Sequence, residues 1–135
     1  MRIVHSRPDI ACAVNKLTQV TEKQFCEQQI KDYNKLVRYL QKTKSQALRY
    51  SKLDMDSLRL VSFFDACFAL NADLSPQLGY LILLCDKHNN ANVLNFNSYK
   101  SRRVVRSVMG GETYAFSGAF DISYTMRYDL KKNVE

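Results

Sequence analysis

The sequence predicts an α+β fold of two N-terminal helices, a three-stranded antiparallel sheet and a closing helix. Three observations predict it. Apolar residues recur at helical spacing up to about Thr43 and again from Val105 onward. Between these stretches lie short runs rich in β-branched, aromatic and leucine residues. The last two runs are separated only by Asp86-Lys87-His88-Asn89-Asn90, a polar turn that makes them a hairpin.

Taken in order, Arg7-Pro8-Asp9 opens the first helix, with Ile10, Val14 and Leu17 at i, i+4 and i+7 and an end near Gln19. Thr21 is the expected cap of the second. Phe25, Ile30, Tyr33, Leu36, Val37 and Leu40 line one face of it to about Thr43, leaving a basic outer face. Extended segments follow at Ala47 to Tyr50, Leu58 to Ala66, Gln77 to Leu84 and Asn92 to Tyr99, the last three forming the sheet. The Leu58 to Ala66 run is apolar enough to read as a strand buried on both faces. Ser51 to Ser57 is the natural joint, so residues 1–57 and 58–135 are expected as two parts. The final helix spans Val105 to Tyr128. Gly110-Gly111 would each cost about 0.5–1 kcal/mol in its interior, which makes that pair an alternative starting point.

Composition narrows the function. With 135 residues and 46% hydrophobic content the chain can bury one modest core, and it contains no apolar run of membrane-spanning length. The N-terminus lacks signal-peptide form, so an intracellular, non-secreted protein is expected in cytoplasm or nucleus. Cys12, Cys26, Cys67 and Cys85 are widely spaced, and only His5 and His88 could join them. That pattern argues against zinc or a disulfide framework and for reduced, core-type cysteines. A net charge of +7 favours polyanionic partners. Much of it gathers in KSRRVVR, where Lys100, Arg102, Arg103 and Arg106 stand without an acid before the final helix. A phosphate backbone suits such a cluster, and the neighbouring helix N-terminus adds partial positive charge.

Two carboxylates stand out. Asp65 interrupts the apolar run LRLVSFFDACFAL, and Glu112 falls on a helical stripe made by Val108, Ala115, Ala119, Ile122 and Met126. Unpaired carboxylates in apolar surroundings cost several kcal/mol, so a shared divalent cation is the economical explanation. The plainer alternative makes Asp65 a surface-edge residue and Glu112 an ordinary acid at a helix start.

Several blocks of this sequence resemble, in order, the end of a copia-type LTR-retrotransposon polyprotein, where the reverse transcriptase passes into the ribonuclease H domain. They are RPDIACAVNKLTQ, YNKLVRYLQKT with the following LRY, FFDACFALNADLSPQLGYLILL and NFNSYKSRRVVRSVMGGETYAF. The resemblance implies a reverse-transcriptase tail joined to a partial ribonuclease H-like domain, ending before the fold is complete. It implies that Asp65 and Glu112 hold two magnesium ions for phosphodiester hydrolysis, with magnesium preferring such oxygen ligands. It further implies that Lys100, Arg102 and Arg103 track an RNA–DNA hybrid without reading sequence, and that the remaining polyprotein is a partner.

The chain departs from the family in places. Phe64 replaces a small hydroxyl residue, Cys67 stands where an acid or serine is common, and the family's third metal-binding aspartate has no counterpart. Asp121 lies nine positions after Glu112, about 180° around a helix, and Asp129 lies about 25 Å along it, so neither substitutes. The expectation is therefore a fragment whose ancestral activity is hydrolysis of RNA in hybrids, inactive as an isolated chain, with an uncovered strand edge inviting self-association. The alternatives are a non-catalytic basic module that binds nucleic acid or a polymerase partner, and an unrelated α+β protein with ordinary structural acids.

Overall fold

The computed structural model describes residues 6–20, 26–68, 71 and 73–134. The chain divides into two compact units, Met1–Leu48 and Arg49–Glu135. Residues 49–57 thus go with the sheet, whereas the sequence suggested a boundary at 57.

In the first unit a short 3-10 turn, Pro8–Ile10, leads into α1 (Ala11–Thr18), and α2 (Glu27–Lys42) follows. Proline at the first position suits a helical turn because its missing N–H would have no partner there. The Thr21 cap lies outside the described residues. The described part of α2 begins after Cys26, whose backbone N–H donates to Gln29 Oε1 at 3.1 Å, the returning half of a capping box. Arg7 ties the two helices together. Its guanidinium makes a bidentate pair with Asp9 at 2.9 and 2.7 Å and donates to Thr43 O and Oγ1 at 3.0 and 2.7 Å. Tyr39 O–H donates to the same Asp9 at 2.8 Å, and the Arg7 guanidinium lies 5.8 Å from the Tyr39 ring centre. The hydrogen-bonded Arg7 guanidinium, more than any other group, lowers the Asp9 pKa to about 2.

The second unit is a β-meander covered on one face by a helix. Strands β1 (Arg59–Cys67), β2 (Gln77–Cys85) and β3 (Ala91–Lys100) pair antiparallel in sequence order. Their bounds lie within one residue of those the sequence suggests. Residues 47–50, expected to be extended, join no strand. The register places Asp65 opposite Gly79 and Phe64 opposite Tyr80, and Leu94 forms a bulge where pairing shifts between Ile82 and Leu83. At the hairpin Asn89 takes a left-handed φ of 63°, a conformation asparagine tolerates better than most residues.

Asp86 organises that turn. It is 1% exposed and accepts from the backbone N–H of His88, Asn90 and Asp54 at 2.8, 3.0 and 3.3 Å and from Asn90 Nδ2 at 3.0 Å. The Asn90 amide leads the hydrogen bonds that lower its pKa to about 2. Asp54 answers by pairing with Lys87 Nζ at 2.8 Å, and Ser57 Oγ accepts from Lys87 N–H. These links explain why residues 49–57 belong with the sheet.

Helix α3 runs from Val108 to Val134, starting later and ending later than the Val105 to Tyr128 expected. Ser107 sets the start, because its Oγ accepts from Gly110 N–H at 3.1 Å as an N-cap does. The face toward the sheet is Gly111, Ala115, Ala119 and Ile122; Ala115 and Ala119 are each 1% exposed. Val108, expected on that stripe, is 58% exposed because it lies a full turn before the first sheet contact. Small side chains let the helix sit close on Ala66 and Leu78. A Cβ built at Gly118 would come 2.5 Å from Tyr99 Oη. Ser123 donates to Ala119 O at 2.7 Å and lies 2.6 Å from Ser62 Oγ. Having spent its only proton, Ser123 must accept from Ser62 there.

The expectation that β1 is buried on both faces is not met. It is an edge strand, and Phe63, Phe64 and Asp65 are exposed, since strand composition reports apolarity and not the number of neighbours. The cysteines also differ from expectation: all four are free, but only Cys85 is buried, while Cys12, Cys26 and Cys67 are exposed.

Two outcomes test this packing. Gly118→Ala should destabilise the chain by about 1–2 kcal/mol despite better helix propensity, because Tyr99 must move. In a Tyr99→Phe background the same change should be neutral or stabilising in denaturant unfolding. Asp9 and Asp86 both have depressed folded pKa values, so their contribution is full above about pH 4 and is lost as pH falls toward 2. Denaturant midpoints measured down that range should fall, and Asp86→Asn should remove part of the pH dependence.

Candidate metal and nucleic-acid site

A tight approach between α3 and β1 lies beside both candidate carboxylates. A Cβ built at Gly111 would meet Ala66 Cβ at 3.3 Å. Asp65 precedes Ala66 in β1 and Glu112 follows Gly111 in the first turn of α3, so the two carboxylates branch from the same end of the sheet. Glycine is what permits the approach here. Asp65 is exposed and Glu112 half-buried. Asp65 Oδ1 accepts from Ala66 N–H at 2.9 Å.

Strand alternation separates their directions. Ser62 and Phe64 meet Ser123 and Phe116 of α3, and Ala66 lies under Gly111. Asp65, between Phe64 and Ala66, belongs to the opposite face. A ligand shared with Glu112 must therefore be reached around the sheet end, where β1 stops at Cys67. Both candidates offer hard oxygen donors of the kind magnesium accepts. Among the described residues no group of three or more His, Cys, Asp or Glu side chains could hold a metal. Asp121 and Asp129 are exposed.

The basic residues lie where β3 runs out and in the loop that leads to α3. Buried Ser101 anchors that loop by donating its N–H to Pro76 O at 2.9 Å and its hydroxyl to Arg103 O at 2.9 Å. Lys100 Nζ pairs with Asp73 at 2.7 Å, a contact that, with Ser75, holds the Asp73 carboxyl well below its ordinary range. The Arg103 guanidinium lies 5.7 Å from the Tyr114 ring centre and donates to its hydroxyl at 3.2 Å. Arg102 and Arg106 are exposed, with no ion pair or hydrogen bond to a described residue. The cluster is thus part anchored and part open. Asp73 was the partner that sequence reasoning missed, 27 positions from Lys100 along the chain.

The first unit has a feature no motif announced. A groove of about 640 Å³ runs between α1 and α2, lined by Ile10, Ala13, Leu17, Leu36 and Tyr39 among others.

Comparison of the chain with protein-family models, with curated proteins and with solved structures finds no match. No helix among the described residues is long and apolar enough to cross a membrane.

Proposed function

We propose that this chain is a junction fragment of a copia-type retrotransposon polyprotein, a reverse-transcriptase tail followed by part of a ribonuclease H-like domain. Its ancestral activity is metal-dependent hydrolysis of RNA in RNA–DNA hybrids. The observation that supports this reading best is the Gly111–Ala66 contact, which brings the Asp65 and Glu112 positions to one end of the sheet.

Asp65 and Glu112 are the residues that would hold magnesium. When bound, the ions would supply Lewis-acid stabilisation to phosphodiester cleavage. The chain's own contribution is to keep the two carboxylates on rigid elements, β1 through its ladder with β2 and α3 through its Ser107 cap. Arg102 and Arg106 would neutralise hybrid phosphates, and Lys100 and Arg103, held by Asp73 and Tyr114, would shape the surface beside them.

Manganese, which shares magnesium's octahedral oxygen preference, tests the site directly. It should broaden the amide resonances of both Asp65–Ala66 and Gly111–Glu112. Asp65→Asn or Glu112→Gln should abolish both effects together; loss at one segment alone would separate the carboxylates and refute the shared site. The isolated chain should not cleave a labelled hybrid in magnesium, since two carboxylates fix too few of the ion's six positions. A version extended by a strand bearing a third carboxylate should cleave it, and Asp65→Asn should abolish that activity.

The open part of the basic loop favours the second reading, a non-catalytic nucleic-acid-binding module. Under either reading hybrid affinity should fall steeply with salt, and Arg102→Ala and Arg106→Ala should each flatten the log–log slope by about one. Only the nuclease reading requires the manganese result.

A further inference from the structure

The free edge of β1 carries more apolar surface than a solvent-facing strand requires. Phe63 is 57% exposed on the face away from α3. On the other face Phe64 begins a ladder of exposed rings, with centroids 5.3 Å from Phe64 to Phe116, 5.8 Å to Phe120 and 6.3 Å to Tyr124. Phe116 and Ser123 reach β1, whereas Tyr114 and Gly118 approach Arg103 and Tyr99. The ladder therefore overhangs the β1 edge and not the β3 edge. No strand among the described residues pairs with the outer side of β1, which leaves alternate N–H and C=O groups available. The β3 edge is different: it is rich in asparagine, and Asn92 holds the Ser51 backbone through two hydrogen bonds of 2.8 Å.

Charge pattern selects the occupant. β1 reads RLVSFFDAC. Two copies laid antiparallel about a two-fold axis at Ser62 place Arg59 opposite Asp65 twice, Leu60 opposite Phe64 and Val61 opposite Phe63. Every pair is complementary, and each stays on one face. An axis at Phe63 instead would set Arg59 against Cys67 and Asp65 against Val61. Within one chain Arg59 and Asp65 stand six residues apart on a strand, about 20 Å, so they cannot pair with each other. Arg59 now donates to exposed Asn89 Oδ1 at 2.9 Å, a neutral contact that a carboxylate can replace.

We propose that the β1 edge is a self-association surface, to which a second copy of this chain adds antiparallel in the Ser62-centred register. The result is a continuous six-stranded sheet with the two aromatic ladders side by side. This does not rest on the nuclease reading, although dimerisation and metal binding would compete for Asp65.

Sedimentation velocity of the full chain over a range of concentrations tests it. The wild type should show a reversible monomer–dimer equilibrium. Asp65→Arg and Arg59→Asp should each weaken the dimer at least about tenfold by opposing like charges twice. The Arg59→Asp/Asp65→Arg double variant should restore it, because swapped charges pair again only between chains. Asp65→Asn should weaken it less than Asp65→Arg does. Both sites are exposed, and circular dichroism would verify that each variant is folded. A folded double variant no better than the single ones overturns the proposal, as does a dimer indifferent to either charge. A wild type that stays monomeric also overturns it and leaves the edge to an extended segment of another protein.

Discussion

Close approach of α3 to the sheet is the constraint on which the second unit depends. A helix packed through Gly111, Ala115, Gly118 and Ala119 brings little side-chain volume of its own to the sheet before Ile122. The sheet supplies what is missing: Leu78 and the Tyr99 ring fill the space, and Ala66 lets the first turn descend onto β1. Such packing gains little from hydrophobic area and much from dispersion contacts at short range, so it tolerates added volume poorly. It also fixes the azimuth of the helix. With the small residues against the sheet, the aromatic residues at 116, 120 and 124 have no choice but to overhang β1, and Glu112 has none but to stand beside Asp65's end of the strand.

Much of this was legible in the sequence, and the failures have identifiable physical causes. Runs rich in β-branched, aromatic and leucine residues and the Asp86 to Asn90 turn located three strands to within a residue, because strand preference and turn chemistry are written in short stretches of sequence. The bounds of α3 were less legible, since Ser107 capping and the tolerance for Gly110-Gly111 come from contacts with Val105 and Ala66 that lie outside any helical template. Burial of β1 was misread for a different reason. Whether an apolar strand is central or at an edge depends on how many neighbours it finds, and composition along one strand carries no such count. The same limit applies to the cysteines, where Cys67 follows its strand to the exposed edge while Cys85 on the central strand is buried.

The candidate site was legible as residue types and only partly as geometry. Asp65 and Glu112 stood out because carboxylates are rare in apolar runs, but neither is buried as the argument from desolvation assumed. What links them is backbone proximity through Gly111, a contact that involves neither carboxylate. The basic loop shows a complementary limit. Four cations in seven residues read as one patch, yet their charges are spent differently once Asp73 and Tyr114 fold against Lys100 and Arg103. Sequence distance concealed both partners.

Exposure of Asp65 and openness of β1 are one fact with two consequences. Asp65 lies on the face of β1 that α3 does not cover, and among the described residues the outer edge of the same strand is unpaired, so ions and a neighbouring chain both have access to it. An uncovered apolar strand cannot remain neutral toward other chains. Proteins commonly protect such edges with charge, and β1 carries it only near its ends, Arg59 and Asp65, with LVSFF between. Opposite charges at opposite ends of a strand are poor protection, because an antiparallel copy turns each into the other's partner. The edge is thus discriminating where a row of like charges would be repellent, and whatever occupies Asp65 decides which contact the strand can make.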